Sequence, residues 1–308
     1  MTPSQRIEAA RGALAVGPVR PRALLELSGA DARDYLHRMC TQDVRALAPG
    51  DSAHLALLTP RGHLVGEGQV LVGEGSCLLD LDPAAGPACR ELLERFVIMD
   101  DVAVEDRSAR LEVLPLLGPG AAAAAAPGAR RVLHRRRGAP AVDLIVGAGE
   151  AGPLAAALAV AGAVALDDGD LEALRILGGI ARWGREMDGA RLPMEVGLTA
   201  DAISFSKGCY PGQEVVLRAT VRGQVQRGLV QLGLPPATPA GAVLRAGGVE
   251  VGVVTSVAET PAGWLGLGLV RRAWWAPGTA LDLELGAAIV RRAIAGEAEA
   301  SAPGESAR

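Results

Sequence analysis

After Gly228 the chain becomes a series of short apolar runs: Leu229–Leu232, Val243–Leu244, Val249–Ser256, Leu265–Val270, Ala280–Leu285 and Ile289–Arg291. Gly and Pro separate them. Short strands at such close spacing predict a small β-barrel, an architecture that leaves few free strand edges. Before Gly228 the pattern differs. Strands and helices mix there without strict β-α alternation, which predicts an α+β layer.

Within that layer, His54–Leu58, Gln69–Val72, Cys77–Leu81, Val102–Glu105, Leu111–Leu116 and Val142–Val146 read as strands. Ser28-x-x-Asp31 reads as a capping box before a helix whose Ala32, Tyr35, Leu36 and Met39 share one face. Ala88–Phe96, with Leu92, Leu93 and Phe96 inward, Pro153–Val160 and Gly169–Leu177 read as further helices. The Ala121–Ala126 tract, flanked by Pro and Gly, reads as a loop or short linker. The 308 residues suffice for two or three compact units. With 49% hydrophobic but only 3% aromatic residues, the cores must be built from Leu, Val and Ala. The polar segment Ala295–Arg308 is expected to be disordered.

Net charge is -4, which gives no global attraction to nucleic acid or an anionic membrane. No signal-peptide pattern and no long apolar run occurs. Cys40, Cys77, Cys89 and Cys209 are irregularly spaced, with no C-x-x-C, so neither a disulfide framework nor a zinc site is expected. A reducing cytoplasm fits that usage. His37, His54, His63 and His134 show no metal-ligand spacing, and no G-x-S-x-G is present. Arg130, Arg131, Arg135, Arg136 and Arg137 form the densest basic cluster. No aromatic stands among them to stack a base, which favours a solvated loop or strand face over a nucleic-acid surface. Asp167, Asp168 and Asp170 read as helix caps and dipole partners. Gly147-x-Gly149-x-x-Gly152 follows a strand and precedes a helix, as a dinucleotide fingerprint would. It stands alone at mid-chain, without the further β-α units of a Rossmann domain.

The segment from Phe205 to Glu214 carries the most chemistry. Lys207 and Cys209 lie between and beside Gly208 and Gly212, ahead of a helical run from Gln213 to Arg218 with a Glu214–Arg218 pair at i,i+4. A thiol beside an ammonium near a helix N-terminus is favoured as thiolate. A tight turn closed by a small packed cysteine explains the same residues, and composition alone leaves both readings open.

Lys207-Gly208-Cys209-Tyr210-x-Gly212-Gln213-Glu214 resembles the signature of the YgfZ folate-binding family, within the glycine-cleavage T-protein (aminomethyltransferase) superfamily. The likeness continues in Arg175–Ile180, Gly184–Met187, Leu192–Leu198, Arg218-Ala219 and Arg222-Gly223, and in Leu27–Ala32, Thr41–Val44, Leu58–Gly62 and Gly252–Ser256. It covers nearly the whole chain and is weakest between about 105 and 165.

This resemblance implies a ring of three domains: two ferredoxin-like α+β units and a C-terminal small β-barrel around a folate-binding hole. Residues 1–110 with 165–222 would form the folate-binding domain, 111–164 the second α+β unit, 223–295 the barrel and 296–308 a tail. It further implies a tetrahydrofolate-binding accessory protein for iron–sulfur cluster assembly or repair, linked in some members to tRNA modification; with the reducing cytoplasm read from the cysteines, a cytoplasmic monomer is expected. Its partners would be folate and iron–sulfur client or assembly proteins; charge and composition add no membrane and disfavour direct nucleic-acid binding, leaving open a weak RNA or polyglutamate contact at the arginine cluster. Cys209 would be the reactive thiol and Lys207 its cation. Arg175, Tyr210, Gly212, Gln213, Glu214 and Arg218 would bind or shape the folate site, and no metal is implied.

The chain departs from the T-protein enzymes at two places. Where they carry an acidic pair after the turn glycine, this chain has His63-Leu64-Val65-Gly66, with Glu67 close by. Where they carry a pterin-holding glutamate, it has Leu177. Both argue against aminomethyl transfer, because apolar side chains cannot orient an amine.

Overall fold

A computed structural model describes residues 1–124, 128–134, 138–222 and 225–296. Arg135, Arg136 and Arg137 of the basic cluster, Gly223 of the family-like segment and the tail from 297 onward lie outside them.

Three sheets organise the chain. The first contains β2 (Ala23–Ser28), β3 (Ser52–Leu58), β4 (Leu64–Val72), β5 (Ser76–Leu81) and β6 (Ala103–Asp106), in the spatial order β3-β4-β5-β2-β6 and antiparallel throughout. The helices α2 (Ala32–Met39) and α3 (Gly86–Arg95) cover its outer face. There Leu25, Leu27, Leu55, Leu57, Val70 and Leu79 pack against Tyr35, Leu36 and Leu93.

The second sheet contains β1 (Ala15–Val16), β7 (Leu111–Leu117), β8 (Arg130–His134), β9 (Ala141–Gly147) and β10 (Val164–Ala165), in the order β10-β1-β7-β9-β8. Because β1 pairs with both β7 and β10, Ala15 and Val16 belong to this sheet, not with the rest of residues 1–110. Local pattern could not reveal this, since a two-residue strand carries no periodicity. The helices α1 (Pro3–Gly12) and α5 (Asp168–Gly178) pack together beside it, and α4 (Ala151–Val160) covers its outer face.

The third sheet is a closed barrel of β11 (Arg227–Gly233), β12 (Val243–Ala246), β13 (Val249–Thr260), β14 (Gly263–Arg271), β15 (Ala280–Leu283) and β16 (Gly286–Ala293). The expected barrel is therefore present, with Val230, Leu232, Leu244, Val254, Val270 and Val290 in its core.

Some local expectations change. Ser28 ends β2 and caps nothing, while the α2 N-cap Asp31 accepts a hydrogen bond from the Asp101 N–H at 2.8 Å. Phe96 is exposed and only Leu93 of its trio is fully buried, because α3 ends at Arg95. The glycine fingerprint joins β9 to α4, but β9 pairs antiparallel with both neighbours, and β10, which follows α4 and runs parallel to β9, is separated from it by β1 and β7, so the adjacent parallel strands of a dinucleotide site are not formed. The Gly147 N–H is already taken by the Glu150 carboxylate at 2.9 Å.

The expected role of the acidic trio holds. Asp167 caps α5 by accepting from the Asp170 N–H at 2.9 Å, and Asp170 accepts from the Asp167 N–H at 3.0 Å. Arg6 from α1 clamps both carboxylates at 2.6 Å. Gly179 then ends α5 in the left-handed conformation, with φ +71°.

Candidate functional site

The first and second sheets face each other. At one end of the interface Leu24, Leu71 and Leu78 meet Val113, Val132 and Ile145 in an apolar cluster. At the other end the same faces carry polar side chains, and a cavity of about 410 Å³ opens between them. Strand alternation explains the arrangement. Glu67 and Gln69 lie two apart on β4, Gln69 is paired with Asp80 on β5, and Asp143 on β9 faces them from the second sheet. Leu171, Glu172 and Arg175 of α5 and the loop Ala181–Arg185 complete the wall.

Three of the cavity carboxylates have a basic neighbour. Asp80 pairs with Arg22, Asp143 with His134 at 3.0 Å, and Glu67 with His54 at 2.7 Å. Burial works against the Arg22 charge, but Asp80 more than offsets it and the pKa is raised. The Gln69 amide differs. It is buried, and its Nε2 has no hydrogen-bond partner among the described residues. A buried unsatisfied donor costs about 1–3 kcal/mol. One aimed into a polar cavity is explained by an acceptor supplied from outside.

Of the site residues expected from sequence, only Arg175 lines this cavity. Its five N–H groups are already used. Nε and Nη2 grip Glu172 at 2.9 and 2.7 Å, Nη2 also donates to Ser256 Oγ at 2.7 Å, and Nη1 donates to Glu186 at 3.0 Å and to the Ile180 carbonyl. Burial opposes its charge, Glu172 and Glu186 restore it, and the pKa is raised. No fork remains for a ligand carboxylate.

The signature segment sits elsewhere, against the β3–β4 turn. Gly212 has φ +82°, and a Cβ there would come within 2.6 Å of the Thr59 carbonyl oxygen; a Cβ on Gly62 would meet Val215 at 3.0 Å. The two turns interlock through their glycines. Gly212 caps α7 (Gln213–Leu217), after which Arg218–Arg222 widens into a π-helical turn. Cys209 lies three residues before that cap and is exposed. Lys207 is not its cation. The buried Lys207 Nζ donates to the carbonyls of His37, Cys40 (2.6 Å) and Gln42 (3.0 Å), closing the C-terminus of α2, and stands 5.3 Å above the Tyr210 ring. Burial pushes the Tyr210 hydroxyl up to about 12. Gln213 begins α7, and the exposed Glu214 and Arg218 pair with each other at 2.6 Å. The segment thus works as a brace for the first sheet and leaves Cys209 outward.

Sequence reasoning did not single out Gln69, Asp80 or Asp143, and treated His54 and His134 only as metal candidates. A signal was present. Asp80 in Cys77-Leu-Leu-Asp-Leu and Asp143 in Ala141-Val-Asp-Leu-Ile-Val are lone carboxylates inside apolar strands, which fold only if the charge is paired. Among the described residues, no group of three or more His, Cys, Asp and Glu is arranged to hold a metal, and no helix is long and apolar enough to cross a membrane.

No family model matches the chain. It is 23% identical over 273 residues to a chloroplastic protein of Arabidopsis thaliana that carries a transferase name, covering 80% of this chain and 63% of that one. It is 27% identical over 238 residues to the mitochondrial homologue of iron–sulfur cluster assembly factor IBA57 from Mycosarcoma maydis, covering 70% and 57%. The chain therefore spans about three fifths of the length of these relatives. The crystal structure of glycine cleavage system aminomethyltransferase T from Bartonella henselae superposes with a TM-score of 0.81 at 22% identity, over 94% of this chain and 88% of that one. The fold is thus that of the T-proteins: α+β sheets followed by a closed barrel.

Proposed function

We propose that this protein binds a reduced folate in the cavity between its two α+β sheets and serves iron–sulfur cluster assembly or repair as an accessory factor of the YgfZ type. The observation that carries the reading is the cavity itself. It sits in a T-protein fold, is lined by Glu67, Asp80 and Asp143, and receives the unpartnered Gln69 amide. A pterin ring offers a 2-amino and ring N–H edge that matches a carboxylate acceptor, and a carbonyl that matches an amide donor. The volume lies within the range of small-molecule sites. The residues present therefore fit the group. Bound tetrahydrofolate would supply its ring amines as carriers of a one-carbon unit. The carboxylates would orient its polar edge, Gln69 would accept its position by donating to the carbonyl, and the sheets would exclude water.

The iron–sulfur context rests on the IBA57-type relative, and a link to tRNA modification belongs to the same proposal. Client or assembly proteins would meet the outer surface that exposes Cys209. Aminomethyl transfer is the second reading, favoured by the shared fold. Against it, β4 carries Val65 and Gly66 where the enzymes are acidic. Incubation with an aminomethylated lipoyl carrier and tetrahydrofolate separates the two. Methylene-tetrahydrofolate formed at an enzyme-like rate would establish the transferase reading, and binding without turnover the accessory one.

A further inference from the structure

Glu67 and His54 stand between two cavities. Glu67 lines the central one, and His54 lines a smaller one of about 280 Å³ on the side of Gly178–Ala181, Val196–Asp201 and Ile294. Ala181 borders both. The two side chains lie diagonally across the β3–β4 pair, since His54 is opposite Gln69 and Ala56 opposite Glu67. His54 is 9% and Glu67 4% exposed, and His54 Nε2 lies 2.7 Å from Glu67 Oε2. At that distance the carboxyl and the imidazole are hydrogen-bonded, so a proton can pass directly between them.

We propose that Glu67 and His54 form a proton relay serving the central cavity, so that a ligand with a protonatable ring amine exchanges a proton there on binding. The inference rests on the folate reading for the identity of that amine. The step balances without a co-reactant. The Glu67 carboxyl would give its proton to the lone pair of the ligand amine, forming an N–H bond there and leaving a carboxylate. His54 Nε2 would restore the carboxyl by giving up its own proton, its electron pair staying on the ring, and solvent on the side of the second cavity would reprotonate the imidazole. The reverse path returns it. The second cavity places the imidazole next to a separate space, so the proton need not enter past the ligand.

Other charges face the pair. From the first sheet these are Asp80 with Arg22, and from the second Asp143 with His134. From α5 and the following loop they are Glu172, Arg175, Arg182 and Arg185, and Asp201 lies on the far side. Arg20 and Asp82 line the rim. The His134–Asp143 pair is the natural control, because it borders the central cavity and not the second one.

Titrate the full chain with tetrahydrofolate by calorimetry near pH 7, in buffers of different ionisation enthalpy. The relay predicts a buffer-dependent heat in the wild type that is lost in Glu67→Gln and His54→Gln and kept in His134→Gln. Glu67→Gln should still bind, more weakly. A buffer-independent heat in the wild type, or proton exchange unchanged in both relay variants, overturns the proposal. A second arm needs no folate. The His54 ring titration followed by NMR should shift in Glu67→Gln. If the wild type binds no folate, the folate reading falls. The relay then stands on that shift and is overturned by its absence.

Discussion

Arg175 Nη2 donates to Ser256 Oγ at 2.7 Å and so ties helix α5 to the barrel strand β13. The same guanidinium holds Glu172 from its own helix and Glu186 from the loop beyond. A residue that sequence resemblance assigned to ligand binding is the joint where three parts of the fold meet.

Replacing Arg175 by Met should therefore unfold the protein more easily rather than merely weaken a ligand. It would leave the buried Glu186 carboxylate without its guanidinium, and breaking such a pair costs about 3–5 kcal/mol. Urea unfolding should show that loss without any ligand present. Arg175→Lys should recover little, since one ammonium cannot reproduce five planar donors. A midpoint unchanged in Arg175→Met would refute the joint.

The same cluster sets an acid limb. Burial raises the Glu172 pKa, but the hydrogen bonds and charge of Arg175, helped by Arg182, outweigh it and leave the value below the ordinary 4.5. A carboxyl depressed in the folded state stabilises above its unfolded pKa. That contribution is lost as pH falls below 4.5 through the folded value. The stability curve of Glu172→Gln should be flatter than that of the wild type in this window, and equal slopes would contradict the assignment.

Cys209 should label fastest with iodoacetamide, now because of exposure and not because of Lys207. Cys40, Cys77 and Cys89 are buried, and burial pushes their thiols up to about 11, 11 and 12. Each pKa unit costs roughly tenfold in thiolate. Peptide mass spectrometry on native protein should find Cys209 modified first, with all four reacting after denaturation. Comparable native rates at Cys40 or Cys89 would sink this.

Lys207→Met should lower stability by roughly 1–3 kcal/mol, because the carbonyls of His37, Cys40 and Gln42 lose their donor at the end of α2. Cys209 labelling should be unchanged in this variant if the lysine has no hold on the thiol. A slowed reaction would restore the lysine–thiol pairing suggested by their spacing.

The barrel was legible because its strands are local and punctuated by Gly and Pro. The frame of α5 was legible because Asp167 and Asp170 cap within four residues. The cavity was not, because Glu67, Asp80 and Asp143 come from three strands of two sheets and meet only after those sheets face each other. The role of Lys207 was hidden for a related reason. Its partners are backbone carbonyls, which leave no trace in side-chain pattern. Cys209, by contrast, is exposed, a property its place in a glycine-flanked turn already suggested.

The most direct test of the central claim uses Gln69. Its Nε2 has no partner among the described residues, so Gln69→Leu should leave the unliganded protein as stable as the wild type or more so. If that amide awaits a folate, the same change should weaken tetrahydrofolate binding by about tenfold, the value of one hydrogen bond. Arg218→Met, which removes only an exposed pair with Glu214, should leave binding intact. Calorimetry of tetrahydrofolate on these three proteins decides the matter. Binding that falls with Gln69 and not with Arg218 is the predicted result, and no binding to the wild type, or binding lost with Arg218 and untouched by Gln69→Leu, would contradict it.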